Sequence, residues 1–143
     1  MFTLAPEKPD SGRYLAAAYG NSAESLAVNN RTDEALRMAE KFLAIVEKTL
    51  TQDPNNRETQ LNLSNVNEIF ANIYLRRGDD AQVINYTQKA LAIDEAIYLA
   101  DTQNKEVFAR IGQRHKLLSE IYAKRGETEK AKLHQQKIDE MSD

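Results

Sequence analysis

The chain contains no cysteine, so it has neither a disulfide framework nor a cysteine-ligated zinc. That absence permits a reducing compartment, and cytoplasmic is the expected localisation. No apolar run approaches the ~20 residues a bilayer-spanning helix needs. The opening Met-Phe-Thr-Leu-Ala-Pro, soon followed by Glu7, is too short for a signal-peptide core. Positive charge is not in excess: 19 Lys and Arg face 22 Asp and Glu, a formal net charge of -3. A general nucleic-acid binder needs a basic stripe to displace phosphate counterions, and none is present. No Gly-rich phosphate loop, nucleophile elbow or HExxH stretch occurs, so neither an enzyme nor a cofactor or metal is expected. Proline is missing from residue 55 onward and glycine is scarce there, which lets long helices run uninterrupted.

What is present is an internal repeat, the signature to seek first because it decides the architecture. At an offset of 48, Ile73-Tyr74-Leu75-Arg76-Arg77-Gly78-Asp79 lies over Ile121-Tyr122-Ala123-Lys124-Arg125-Gly126-Glu127. Gln88-Lys89 lies over Gln136-Lys137. The same step backwards puts Asn30, which also tolerates a left-handed turn, on Gly78. Lys41, Leu43, Ala44, Ile45 and Glu47 fall on Lys89, Leu91, Ala92, Ile93 and Glu95, and Asp53 and Asn56 on Asp101 and Asn104. Two independent pairs sharing one offset predict three units, at about 13–54, 55–101 and 102–141.

Each unit reads as a helix, a tight turn and a second helix, giving six main helices. In the second unit the first helix is predicted over 56–77, with Asn55 and Glu58 as its capping box and Gly78 as its stop. Val66, Phe70, Ile73 and Tyr74 form its buried stripe. Asp79 with Gln82 is predicted to cap a second helix over 79–100. Small residues Ala35 and Ala131, with bulkier Val83 between them in the series, oppose large Leu26, Tyr74 and Tyr122, so paired antiparallel helices can approach closely. One hairpin cannot bury its apolar face alone; three stacked hairpins can. In the first unit, Gly20-Asn21 with Glu24 three residues on is a candidate break and fresh cap.

The stretch from Ile73 to Asp79, followed by Tyr86-Thr87-Gln88-Lys89-Ala90-Leu91-Ala92-Ile93-Asp94, resembles the tetratricopeptide repeat. Asp53-Pro54-Asn55-Asn56 resembles that family's inter-repeat junction. The resemblance covers about residues 13–141, and is clearest in the second unit. It departs from the pattern in its period of 48 against ~34, and in Asn67 and His115 at an early aromatic position. Repeats of this length resemble arrays attached to bacterial signalling proteins. The implied fold is an all-α superhelix, a solenoid of three helix-turn-helix repeats. The implied role is a protein-protein interaction module that serves as a docking or adaptor part of a signalling assembly.

In that family the first helix of each repeat lines the concave face. Carried over by position, the face presents Ala17, Gly20 and Glu24, then Asn65, Glu68, Asn72 and Arg76, then Gln113, Lys116 and Glu120. Glu24, Asn65, Glu68, Asn72, Arg76, Gln113, Lys116 and Glu120 are the candidate partner-binding residues. Asn65 and Asn72 are two helical turns apart, and their amides suit gripping a peptide backbone. The family's clamp for a C-terminal carboxylate falls on Gly20, Glu24, Ile69, Gln113 and Leu117, so it is absent. The mixed surface favours a peptide carrying some positive charge.

Other patterns have plainer explanations. Arg77-Gly78-Asp79 spells an adhesion tripeptide but is the inter-helix turn. Sequons at Asn30, Asn62 and Asn85 are chance matches, two of them inside predicted helices. His115 and His134 are too far apart for a metal pair on one helix, and His115 reads as a packed core residue. The polar last helix, with Lys132, His134, Gln135 and Glu140, reads as a terminal cap. Residues 1–12, with Pro6, Pro9 and Gly12, read as a tether, which suggests repeats hung behind another domain. The alternative function is self-association, a homodimer formed through the Ala-rich N-terminal helices by way of Tyr14 and Tyr19.

Overall fold

The computed structural model describes residues 9–142, and among them every regular element is helical. In chain order these are α1 (Pro9–Val28), α2 (Thr32–Gln52), α3 (Arg57–Arg77), α4 (Asp80–Ala100), α5 (Lys105–Lys124) and α6 (Thr128–Met141). The proposed tether overlaps the described residues only from Pro9, and there it is already the start of α1; residues 1–8 lie outside the described residues. Proline at the first helical position is no obstacle, since the amide it lacks would have no intrahelical partner there. Nor does Gly20-Asn21 break α1. A Cβ at Gly20 would lie 3.1 Å from the Phe42 ring of α2, so this glycine serves a close helix–helix approach and is not available as a concave-face residue.

The 48-residue interval is written directly into the backbone. Asn30, Gly78 and Gly126 alone among the described residues adopt positive φ, at 61°, 74° and 77°. Each turns the chain between the helices of one pair, in the left-handed region that glycine enters for want of a Cβ and asparagine tolerates better than other residues. The helix starts after the inter-unit turns also repeat. The Asn56 side chain accepts from the Thr59 amide at 3.0 Å, and Asn104 from Val107 at 3.1 Å. The expected cap at Asn55 is therefore displaced by one residue. Asn56 N–H donates to the Asp53 carbonyl, which places Asn55 inside the preceding turn and leaves Asn56 with the extended backbone a cap requires. Asp79 caps α4 as expected, accepting from the Gln82 amide, while the Gln82 side chain accepts from Asn85 and leaves the capping box half made.

Each helix packs on its chain neighbours, and α1 also reaches α3. The buried stripes supply the reason. Ala35, Val83 and Ala131 let α2, α4 and α6 lie close on α1, α3 and α5. Phe70 and Tyr86 stack at 4.8 Å, and Tyr74 also stacks with Tyr86 at 5.7 Å, so three aromatic rings join α3 to α4. Two apolar clusters result. One runs from Ala16, Ala23 and Phe42 to Val66, Phe70 and Ile73; the other gathers Leu91, Ile97, Val107, Leu118 and Tyr122. At helix ends, Arg77 pairs with Asp33 and Lys124 with Asp80, linking α3 to α2 and α5 to α4. No helix among the described residues is long and apolar enough to cross a membrane.

Candidate functional site

Helices α1 and α3 touch, whereas no Cα of α3 comes within 8 Å of one in α5. The first helices of the three pairs are thus unevenly spaced, and two clefts flank α3. The wider, of about 430 Å³, lies between α1 and α3 and is lined by Glu24, Ala27, Val28, Ile69, Asn72, Ile73, Leu75 and Arg76. The narrower, of about 100 Å³, lies between α3 and α5 over α4; its lining is Glu68, Ala71, Asn72, Thr87, Ala90, Gln113, Arg114 and Leu117.

Of the eight candidate residues, five reach these clefts. Glu24, Asn72 and Arg76 meet in the wider one, and Glu68, Asn72 and Gln113 in the narrower, so Asn72 alone belongs to both. Asn65 is half-buried one turn before Glu68 and lines neither cleft, which separates the asparagine pair expected to act together. Lys116 and Glu120 are exposed on α5 outside both clefts.

The narrower cleft is backed by a polar layer absent from the candidate set. Asp94 of α4 is 0% exposed and Arg114 of α5 has a side chain 5% exposed; Arg114 Nε approaches Asp94 Oδ2 at 3.3 Å. Ser64 of α3 donates to the other oxygen of Asp94 at 2.6 Å. The outer nitrogens of Arg114 then hold Glu68 at 3.1 and 3.4 Å in a two-point ion pair. Glu68, with a side chain 40% exposed, is therefore held in place and still accessible. The sequence contains a signal for this layer. One repeat earlier, Asp94 corresponds to Val46, Arg114 to Val66 and Thr87 to Ala39, all three buried in the apolar core. Polar residues at apolar register positions mark a place where the second and third units meet differently from the first and second.

The α5–α6 hairpin assembles a second cluster from residues too far apart in sequence to share one helix. His115 of α5 and His134 of α6 approach Nδ1 to Nδ1 at 2.9 Å. His115 is buried, as its register position implied. The Tyr122 ring lies parallel to His134 at 5.7 Å, and Tyr122 Oη accepts from Gln88 of α4. Burial lowers the pKa of both imidazoles. Lys137 pushes His115 further down and His115 does the same to His134, with Glu95 opposing the latter. No third histidine or carboxylate among the described residues completes a metal-ligating group with them. No family model, curated protein or solved structure matches the chain.

Proposed function

We propose that this chain is a non-catalytic docking module, a three-unit helical repeat of tetratricopeptide type that holds an extended peptide or protein segment along α1, α3 and α5. The observation that carries the reading is the position of Asn72. Its exposed amide lies between two clefts, with Glu24 and Arg76 on one side and Glu68 and Gln113 on the other. A side-chain amide offers donor and acceptor together, the pattern a peptide bond complements irrespective of sequence. The apolar wall of Ala27, Val28, Ile69 and Leu75 beside it suits a partner side chain. A sensing or docking arm within a bacterial signalling assembly is the role we assign to such an array, by analogy of architecture.

The test uses isotope-labelled protein and a degenerate library of short peptides. Binding should perturb amides of α1, α3 and α5 and spare the outer faces of α2, α4 and α6. Asn72→Ala should leave the unfolding midpoint within about 0.5 kcal/mol, as exposed substitutions do. It should weaken peptide binding about five- to tenfold, the effect of one or two hydrogen bonds. Perturbations confined to α2, α4 and α6 would place the docking face elsewhere.

A second reading, self-association through α1, is favoured by Tyr14, which is 74% exposed, and by its exposed neighbour Leu15.

A further inference from the structure

At the floor of the narrower cleft, Thr87 is 1% exposed and its hydroxyl finds no hydrogen-bond partner among the described residues. Helical threonines commonly return the hydroxyl to the carbonyl four residues back. Thr49 does so to Ile45 and Thr51 to Glu47, each at 2.9 Å; Thr87 does not. A buried hydroxyl without a partner costs stability that an apolar residue avoids, and the preceding unit has Ala39 at this position.

The groups around that hydroxyl define what would complete it. The single positive charge of Arg114 is shared between Asp94 and Glu68, so the three groups together carry one negative charge. Glu68, Asn72 and Gln113 add a carboxylate and two side-chain amides, each of which can turn its oxygen to a donor, to the Thr87 hydroxyl, while Ala71, Ala90 and Leu117 form an apolar collar. Several acceptors with a net negative charge above an apolar neck complement a compact ammonium on an alkyl stem. Its three N–H donors meet oxygens and its methylenes lie against carbon. A carboxylate would be repelled by Glu68.

We infer that the cleft between α3 and α5 is a lysine subsite, taking the ammonium end of a lysine side chain from the docked peptide, with Glu68 and Thr87 as its discriminating contacts. The inference rests on the docking reading above and names its preferred residue.

A positional library of short peptides, with lysine, acetyl-lysine, norleucine or glutamate fixed at the central position, separates the two. The lysine pool should bind the full chain about tenfold or more tighter than the acetyl-lysine and norleucine pools, the scale of a charge-assisted hydrogen bond. Glu68→Gln should abolish that preference. Thr87→Val, which removes no contact the fold uses, should reduce it about threefold or more with an unchanged or higher melting temperature. Should Glu68→Gln perturb folding through Arg114, Thr87→Val decides alone. Equal binding of all pools overturns the lysine subsite and leaves the docking reading standing. A lysine preference untouched by both substitutions also overturns it. Binding of no pool removes both.

Discussion

Asp94 and Arg114 pose the sharpest energetic question in the molecule at the scale of single residues. Desolvating a charge is expensive, and a buried pair recovers the cost only with good geometry and further hydrogen bonds. The second condition is met here: Ser64 donates to Asp94, and Glu68 completes Arg114 on its accessible side, around a single Arg114–Asp94 contact of 3.3 Å. Removing one partner leaves the other buried and uncompensated. Arg114→Met is therefore expected to destabilise the chain by about 3–5 kcal/mol in urea unfolding. The double change Asp94→Val with Arg114→Val restores the residues found one repeat earlier and should recover most of that loss. A double variant no more stable than the single one would show that the layer is not interchangeable with the apolar contact of Val46 and Val66. The layer was legible in principle, since the 48-residue register superposes an aspartate and an arginine on two core valines. Asn65 lies outside both clefts although Asn72, two turns on, belongs to both, because a shared helix face does not by itself fix which of its residues border a cleft.

At the scale of elements, turns and caps were the most legible features because their causes are local. Left-handed backbone at Asn30, Gly78 and Gly126 follows from residue type and spacing alone, whereas the asparagine cap of α3 was legible only to within one residue, at Asn56 and not Asn55. The start of α1 was not legible, since proline and glycine near an end read equally as linker or as first turn. The α5–α6 hairpin carries what local reading cannot supply, a contact between His115 and His134 across 19 positions. An N–H···N bond between imidazoles needs one unprotonated Nδ1 as acceptor, and burial depresses both pKa values in the folded chain. Unfolded histidine titrates near 6.5. Below that value the unfolded chain binds protons the folded chain refuses, so stability falls with falling pH. The loss begins near pH 6.5 and continues through the lowered folded values. Glu95 of α4 offsets part of the penalty at His134, and Lys137 of α6 adds to it at His115. The urea midpoint should drop between roughly pH 7 and pH 5, before most carboxylates titrate, and His134→Gln should flatten that drop. A midpoint constant across this window would mean that the pair protonates without strain.

At the scale of the whole molecule, two apolar clusters lie on either side of a polar layer, and the first helices are close on one side of α3 and apart on the other. On the side where α3 and α5 stand apart, the cleft is floored by the Arg114–Glu68 ion pair and the buried, unpartnered Thr87 hydroxyl, residues that have no polar counterpart 48 positions earlier. The uneven spacing also bears on whether copies of the chain pair. Among the exposed apolar side chains of α1 and α3, Val28 and Leu75 already line the wider cleft. Tyr14 and Leu15, with the small exposed Ala17 and Ala18, are then left as the apolar contribution of α1 to a dimer contact. A stable dimer buries about 1,200–2,000 Å² in total, well beyond what two large and two small side chains from each copy provide. Sedimentation velocity from micromolar to submillimolar concentration is therefore expected to return a constant coefficient for a 16.2 kDa monomer. A coefficient that rises with concentration, and stops rising in a Tyr14→Ser, Leu15→Ser variant, would instead make α1 an interface between copies and transfer the weight of the functional argument to self-association.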